Sequence, residues 1–257
     1  MFQTTPHFWR DRFQASGIHF CISLIIALAA ALLVFALWYP YPYREISGGR
    51  ELFLIVVAVD VILGPLITLA VFNRNKPLAE LRRDLTIVAL LQLGALGYGL
   101  WSVFVARPVH LVFEYDRFRV VHAIDVPDEL LAKAPADLQT LPMTGPTLLA
   151  LREFHDEGEK MNATLDALKG IPLASRPDLW QSYAAARARV LAAAKPVSTL
   201  QTRFAQRRGD IDAVVANTGR SASDLVYLPM VGRKTFWTAV LDPATAQVLA
   251  FMPLDSF

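Results

Sequence analysis

One carboxylate stands inside an otherwise apolar run. Asp60 lies within Leu52–Phe72, and Gly64-Pro65 follows four residues later. A carboxylate in hydrocarbon is costly, and such a residue marks a functional site by default. By helical rise Asp60 sits about 12 Å from the outer end of its run. Pro65 removes the amide that would bond the Val61 carbonyl, which predicts a kink and a free acceptor one residue from the carboxylate. In an antiparallel pair Tyr98 of a later run falls at the same depth and is the expected internal partner, with Gln92 about two turns nearer the other end. Two roles are open to Asp60. It fixes helix register through a hydrogen bond, or it recognises a cationic or polar group on a partner helix. A proton relay lacks its second member, because no other acidic residue lies within the runs.

Other chemistry is sparse. Outside the first apolar run the histidines are His7, His110, His122 and His155, with no H-x₃-H or HExxH spacing, so no zinc site is expected. Cys21 is the only cysteine, which excludes an intrachain disulfide and a cysteine-based metal site, and it reads as a buried apolar residue. There is no G-x-S-x-G and no phosphate loop; Gly94, Gly97 and Gly99 fall inside an apolar run as packing residues. The run His155-Asp156-Glu157-Gly158-Glu159 reads as a solvated helix start, and Asp210 and Asp212 as helix N-terminal charges. No catalytic residue, cofactor or metal is expected.

The elements that must position Asp60 are three apolar stretches, His19–Tyr39, Leu52–Phe72 and Leu85–Val105. Each is long enough to cross about 30 Å of hydrocarbon as an α-helix. They account for a composition that is 54% hydrophobic and 19% charged, against roughly 25% charged in soluble domains. The first run exceeds a signal-peptide core and has no A-x-A-like cleavage site after it. Arg10, Arg12, Arg74, Lys76, Arg82 and Arg83 flank one side of the spans and Arg44, Arg50 and Arg107 the other, which predicts a cytoplasmic N-terminus and a periplasmic C-terminal domain. Residues 1–107 hold 9 Lys+Arg against 6 Asp+Glu, and residues 108–257 hold 16 against 17. The basic excess therefore belongs to the spans, and nucleic acid is not an expected partner. Ser23, Ala27 and Ala31, and Ala95 with Gly99, recur every fourth residue and suit close helix packing or a docked partner helix. The aromatic loop Trp38, Tyr39, Tyr41 and Tyr43, interleaved with Pro40 and Pro42, suits headgroup anchoring, with partner binding as the alternative.

After the spans, Val109–Val121 alternates about Asp116-Arg117 and predicts a hairpin with Phe113 facing Val120, Leu111 facing His122 and Glu114 opposing Arg119. Helices are predicted over Leu148–His155, Glu159–Leu168, Pro177–Lys195 capped by Ser175, and part of Leu200–Ala216. Strands follow at Leu225–Met230, Thr235–Leu241 and Gln247–Met252. The expected architecture is a cytoplasmic segment (1–18), a three-span α-helical membrane domain (19–107) and a periplasmic α+β domain (108–257) with an antiparallel sheet.

Several strings have a familiar order. Arg12-Phe-Gln-Ala-Ser-Gly-Ile-His19, Leu37-Trp-Tyr-Pro-Tyr-Pro-Tyr43 with Ser47-Gly-Gly49, Val59-Asp-Val-Ile-Leu-Gly-Pro-Leu66, Val71-Phe-Asn73 with Lys76-Pro77, and Arg107-Pro-Val-His-Leu-Val-Phe-Glu-Tyr-Asp-Arg-Phe-Arg-Val-Val121 resemble the TfpX/TfpZ family of type IV pilin accessory proteins. Tyr227–Lys234 and Leu241–Gln247 are similar to it too. The resemblance implies a bacterial inner-membrane accessory protein or chaperone, not an enzyme, whose partners are the major type IV pilin, the lipid bilayer and other pilus assembly components. Asp60, Gly64 and Pro65 match its span-two motif, and Arg107, Pro108, Glu114, Asp116 and Arg117 its juxtamembrane motif; with Tyr98 these are the candidate partner-binding residues. A membrane enzyme that modifies pilin, for example by glycosyl transfer, is the alternative. A one-component sensor is disfavoured because the cytoplasmic parts are too short for an output domain.

Overall fold

The computed structural model describes residues 8–257; His7 and the first residues of the predicted cytoplasmic segment lie outside them. The chain divides into two compact units, residues 1–40 with 49–105, and residues 41–48 with 106–257.

The first unit is helical. Helix α1 (Phe8–Leu32) runs on through a π-turn at Leu33–Trp38. Helix α2 (Gly49–Ala58) passes through a second π-turn, Val59–Leu63, into α3 (Gly64–Val71), and α4 is Leu78–Val105. Phe8–Trp38, Gly49–Val71 and Leu78–Val105 are each long and apolar enough to cross a membrane. Helix α1 packs along the second π-turn and α3, and α4 packs along α2 and α3. Small residues make these approaches possible: Ser23, Ala27 and Ala30 are the buried positions of α1, and a Cβ on Gly99 would come within 2.6 Å of the Val56 side chain. Gly94 and Gly97, by contrast, face open space, and Cys21 is exposed on the outside of α1 rather than buried. Tyr39 is fully buried beside Val34, Phe53 and Val103, and its hydroxyl donates to the Val103 carbonyl at 3.1 Å, so it serves the bundle and not the headgroup layer.

The second unit is a mixed sheet with helices on both faces. Its strands are β1 (Pro108–Glu114), β2 (Arg117–His122), β3 (Thr147–Leu151), β4 (Trp180–Ser182), β5 (Lys195–Pro196), β6 (Val226–Val231), β7 (Phe236–Leu241) and β8 (Val248–Met252). They are ordered β4-β3-β1-β2-β6-β7-β8, with β5 also against β6. The expected purely antiparallel sheet is corrected: β1 with β3 and β2 with β6 are parallel. Both pairs are joined by long connections, and β1 is buried along its whole length, as strands covered on both faces are. One face carries Leu111, Phe113, Phe118, Leu228 and Met230. The opposite face carries Val109, Val112 and Leu149 at one end and Tyr227, Val240 and Met252 at the other. A bulge between Pro108 and His110 puts Val109 and Val112, three apart, on the same side.

The hairpin is present with its register moved by two residues. The loop is Tyr115-Asp116, with Tyr115 at φ 55°, and Phe113 faces Phe118 while Leu111 faces Val120. A two-residue slip keeps Leu111, Phe113 and Val120 on one face, but the opposite face, expected to be polar, is buried too, with Val112 and Val121 in a second apolar cluster. Glu114 pairs in register with Arg117 and reaches diagonally to Arg119, whose Nε donates to it at 2.7 Å.

Two predicted helices are corrected. Leu148–His155 is strand over Leu148–Leu151 and irregular beyond it, because the four-residue apolar run beside β1 is buried more fully as a parallel strand than as one helical turn. Pro177–Lys195 is broken: Trp180 turns inward on β4 and donates from Nε1 to the Ala174 carbonyl at 2.8 Å. Only Arg187–Ala193 (α6) of that segment stays α-helical, and Ser175 caps nothing. Helix α5 (Glu157–Leu168) is capped by the Asp156 carboxylate on the Glu159 amide, and α7 (Val197–Arg203) and α8 (Arg208–Asn217) complete the layer.

The segment Tyr41–Gly48 belongs to this second unit. Tyr43 and Ile46 are buried in the core face, Tyr43 against Phe251, and the Ile46 carbonyl accepts from the Lys234 amide at 3.3 Å. Gly232 is required there, since a Cβ would lie 2.0 Å from the Ile46 side chain.

Candidate functional site

The Asp60 site is built by what two neighbours lack. In a π-turn a carbonyl looks to the amide five residues on, and for Asp60 that residue is Pro65, which has none. The Asp60 carbonyl therefore accepts from Gln92 Nε2 of α4 at 3.0 Å. Gly64 makes room for that amide, because a Cβ there would stand 1.9 Å from Gln92 Nε2. The expectation of a freed carbonyl beside the carboxylate was thus right in kind, but the acceptor is Asp60's own.

The Asp60 side chain is buried at 7% exposure, and its Oδ1 is enclosed without a hydrogen-bond partner among the described residues. It lines a cavity of about 220 Å³ with His19, Ser23, Ile26, Gln92 and Leu96. Further down α3, Ser16 Oγ donates to the Pro65 carbonyl at 2.8 Å and His19 Nδ1 meets Thr68 Oγ1 at 2.5 Å. Tyr98 does not take the partner role. It is 70% exposed and stacks on Trp101. Depth was the right criterion but phase decides: Gln92 and Gly99 are one heptad apart and share the face toward α2 and α3, while Tyr98 is turned off it.

The juxtamembrane candidates lie in the second unit as two groups at opposite ends of β1, Arg107 with Pro108 at its start and Glu114 with Asp116 and Arg117 at the hairpin. Arg107 is buried, and its Nε and Nη2 donate to the Pro142 carbonyl at 3.2 and 3.1 Å. Pro108 is buried opposite His122 at the start of β1. Glu114 is buried in its ion pair with Arg119. At the hairpin tip Asp116 is exposed and Arg117 partly open; Arg117 Nε donates to Asp116 at 2.8 Å and its guanidinium lies over the Phe257 ring.

Two buried histidines flank the same strands. His110 Nδ1 meets Thr147 Oγ1 at 2.7 Å, its ring packs on Trp180, and burial pushes its pKa down to about 4. His122 is pushed down by burial, with Asp125 at 3.4 Å pulling the other way. Burial favours the neutral imidazole in both, and the hydroxyl within hydrogen-bond reach of His110 is that of Thr147.

Comparison with known proteins bears on this arrangement. Residues 7–48 match the family described as fimbrial assembly protein FimB. The fimbrial assembly proteins of serogroups E1 and I from Dichelobacter nodosus are each 32% identical over 246 residues, covering 95% of this chain and 95% of theirs. The chain belongs to the fimbrial assembly protein family. A shorter member, from serogroups C1 and C2 of the same organism, is 41% identical over 113 residues, 44% of this chain and 86% of its own length. No solved structure gives a significant match. These relatives are fimbrial assembly proteins, which corrects the expected TfpX/TfpZ family name.

For this family member, sequence reading missed Ser16, His19 and Thr68 as a polar set. Helical spacing held the signal: Ser16, His19 and Ser23 lie three and four apart on one face of α1, and so face α3 together. Gln92 was seen but ranked below Tyr98, for the reason of phase given above.

Proposed function

We propose that this chain is an inner-membrane accessory protein of type IV pilus assembly, a chaperone-like binder that holds the major pilin before it enters the fibre. Membership in the fimbrial assembly protein family and the resemblance of its motifs to the TfpX/TfpZ proteins support the setting. The observation that carries the binding role is the Asp60 carboxyl, buried among the apolar helices with its Oδ1 left without a hydrogen-bond partner among the described residues. An unsatisfied buried polar group costs about 1–3 kcal/mol or more when charged, so a partner that supplies a donor gains that much on docking. The protein acts by binding rather than catalysis, with its N-terminus cytoplasmic and its sheet domain periplasmic; the six-to-three distribution of basic residues favours this orientation. Other pilus components are further partners.

The test is a photo-crosslinker at Ile26 or Leu93, in cells at native expression. Capture of unmodified pilin, lost in Asp60→Leu while the protein level holds, is the expected result. Pilin recovered with an altered mass that depends on this chain would instead establish the modifying enzyme, and no pilin in the adduct from either position would refute the proposal.

A further inference from the structure

The three spans do not form a closed bundle. Helices α1 and α4 both pack on the second span and make few contacts with each other. They meet at one end only, where Trp38 lies 5.0 Å from Phe104 and Ala30, Val34, Tyr39, Phe53 and Val103 form a cluster. Beyond that end a wedge opens between them. It holds the cavity of about 220 Å³ at Asp60 and a second of about 400 Å³ that reaches Thr68 and Phe72. The two share His19 and Ile22 from one wall and Ala89 from the other, so they are one groove. Its floor is the second span, from Asp60 to Thr68, about 12 Å by helical rise. The walls are mostly apolar, with Ile22 51% and Leu93 60% exposed, and carry the polar side chains His19, Ser23 and Gln92.

We infer that this groove is the seat of a single partner transmembrane helix that presents a cationic N–H donor, a lysine or free amine, to Asp60. The inference rests on the reading above and names the chemistry of its site. A segment lying in the groove within hydrocarbon must satisfy its own backbone, because the floor and walls offer only side-chain groups, and an α-helix does so. Asp60 is the middle residue of Gly49–Val71, eleven residues and about 16 Å from either end, a depth no lipid headgroup reaches. The missing partner of a carboxylate is a donor, and a charged donor gives the shortest and strongest bond. A second copy of this chain has no lysine or arginine to offer at that depth: none lies in Phe13–Tyr43, Leu52–Asn73 or Asp84–Ala106, and its one histidine there, His19, is engaged with Thr68.

The test uses the full chain in nanodiscs of phosphatidylethanolamine and phosphatidylglycerol, with dye-labelled Leu/Ala transmembrane peptides that differ only in one central residue: Lys, Gln or Leu. Energy transfer from a donor dye at exposed Cys21 reads binding. The Lys peptide should bind at least tenfold more tightly than the Leu peptide, with Gln between. Asp60→Asn, close to isosteric, should bring Lys and Leu within threefold of each other. Ala89→Phe, which fills the groove and leaves Asp60 in place, should weaken all three peptides. Equal binding of the Lys and Leu peptides to the unaltered chain, or a Lys preference that survives Asp60→Asn, would overturn the inference. Pilin crosslinking in cells without a Lys preference would leave the pilin reading standing and the groove chemistry wrong, and the converse would sink the pilin reading alone.

Discussion

The two units treat buried charge in opposite ways. In the sheet unit Glu114 is paired with Arg119, Arg176 with Asp166 and Asp178, Asp242 with Arg220, and Arg107 with the Pro142 carbonyl. In the helical unit the one buried charged residue among the described residues is Asp60, and its carboxyl is left unsatisfied. Satisfying a buried charge serves the fold, because breaking such a pair is strongly destabilising. Leaving one unsatisfied lowers stability and gains a binding site. The sheet unit thus pairs its buried charges, although the uncharged Ser47 Oγ, His110 Nε2 and His122 Nε2 are enclosed without a hydrogen-bond partner among the described residues, while the helical unit leaves its one buried carboxyl open, which is where the proposed partner would dock.

The apolar core of the sheet unit also draws on a segment remote from it in sequence, and this gives the largest expected effect. Tyr43 and Ile46 reach the sheet unit's core from the loop between the first two spans, so residues 106–257 alone lack part of their core. Replacing Tyr41–Gly48 by an eight-residue Gly/Ser linker removes two large buried side chains, each worth about 2–5 kcal/mol. The sheet unit should become protease-sensitive in the full chain at ambient temperature. Gly232→Ala, which forces a Cβ onto Ile46, should give a milder form of the same defect. Protection from limited proteolysis that is unchanged in both variants would mean the loop is only a tether.

How far the sequence carried depends on the range of the interaction. The three spans were legible because hydrocarbon thickness imposes a length and composition that one segment satisfies alone. The unusual backbone near Asp60 was legible too, since Gly64-Pro65 acts locally. What escaped was non-local. The strand at Thr147–Leu151 has a leucine-rich sequence suited to a helix, and only the presence of β1 beside it decides otherwise. Trp180 breaks an alanine-rich stretch because a pocket under Ala174 accepts its indole. The choice of Gln92 over Tyr98 needed the rotation of α4, which Gly99 against Val56 sets. The loop aromatics read as lipid anchors because no local feature of Tyr43 or Ile46 announces a sheet three spans' length later in the chain.

A second prediction sharpens the comparison through pH. His110 is buried neutral, with its pKa lowered by burial to about 4 against an ordinary 6.5, and its neighbours Thr147 and Trp180 offer no counter-charge. Between those values the unfolded chain binds more protons than the folded one, so stability falls as pH drops from about 6.5 to about 4. His122 acts in the same direction. The sheet unit should lose about 2–3 kcal/mol over that range, read by near-ultraviolet circular dichroism during denaturant unfolding of the full chain in detergent. His110→Gln should flatten the dependence in part, leaving the share of His122. A flat profile in the unaltered chain would show that these histidines are hydrated after all.

The smallest effect separates depth from phase inside the helical unit. Gln92 donates to the Asp60 carbonyl that Pro65 leaves free, whereas Tyr98 at matching depth is exposed on α4. Gln92→Met keeps the length of the side chain and removes the donor, and interhelical hydrogen bonds of this kind average about 0.6 kcal/mol in measured membrane proteins. The Asp60 carbonyl would then join the carboxyl as an unsatisfied group, so the loss should lie near 1 kcal/mol. Tyr98→Phe removes a hydroxyl for which the helical unit has no use, and should change stability by less than about 0.5 kcal/mol. Steric trapping or reversible unfolding in mixed micelles resolves a difference of that size between the two variants. If Tyr98→Phe proves the costlier change, Asp60 is satisfied from inside the chain by a rotated α4. Its carboxyl is then a register lock with nothing left to offer a partner, and the contrast between the two units disappears.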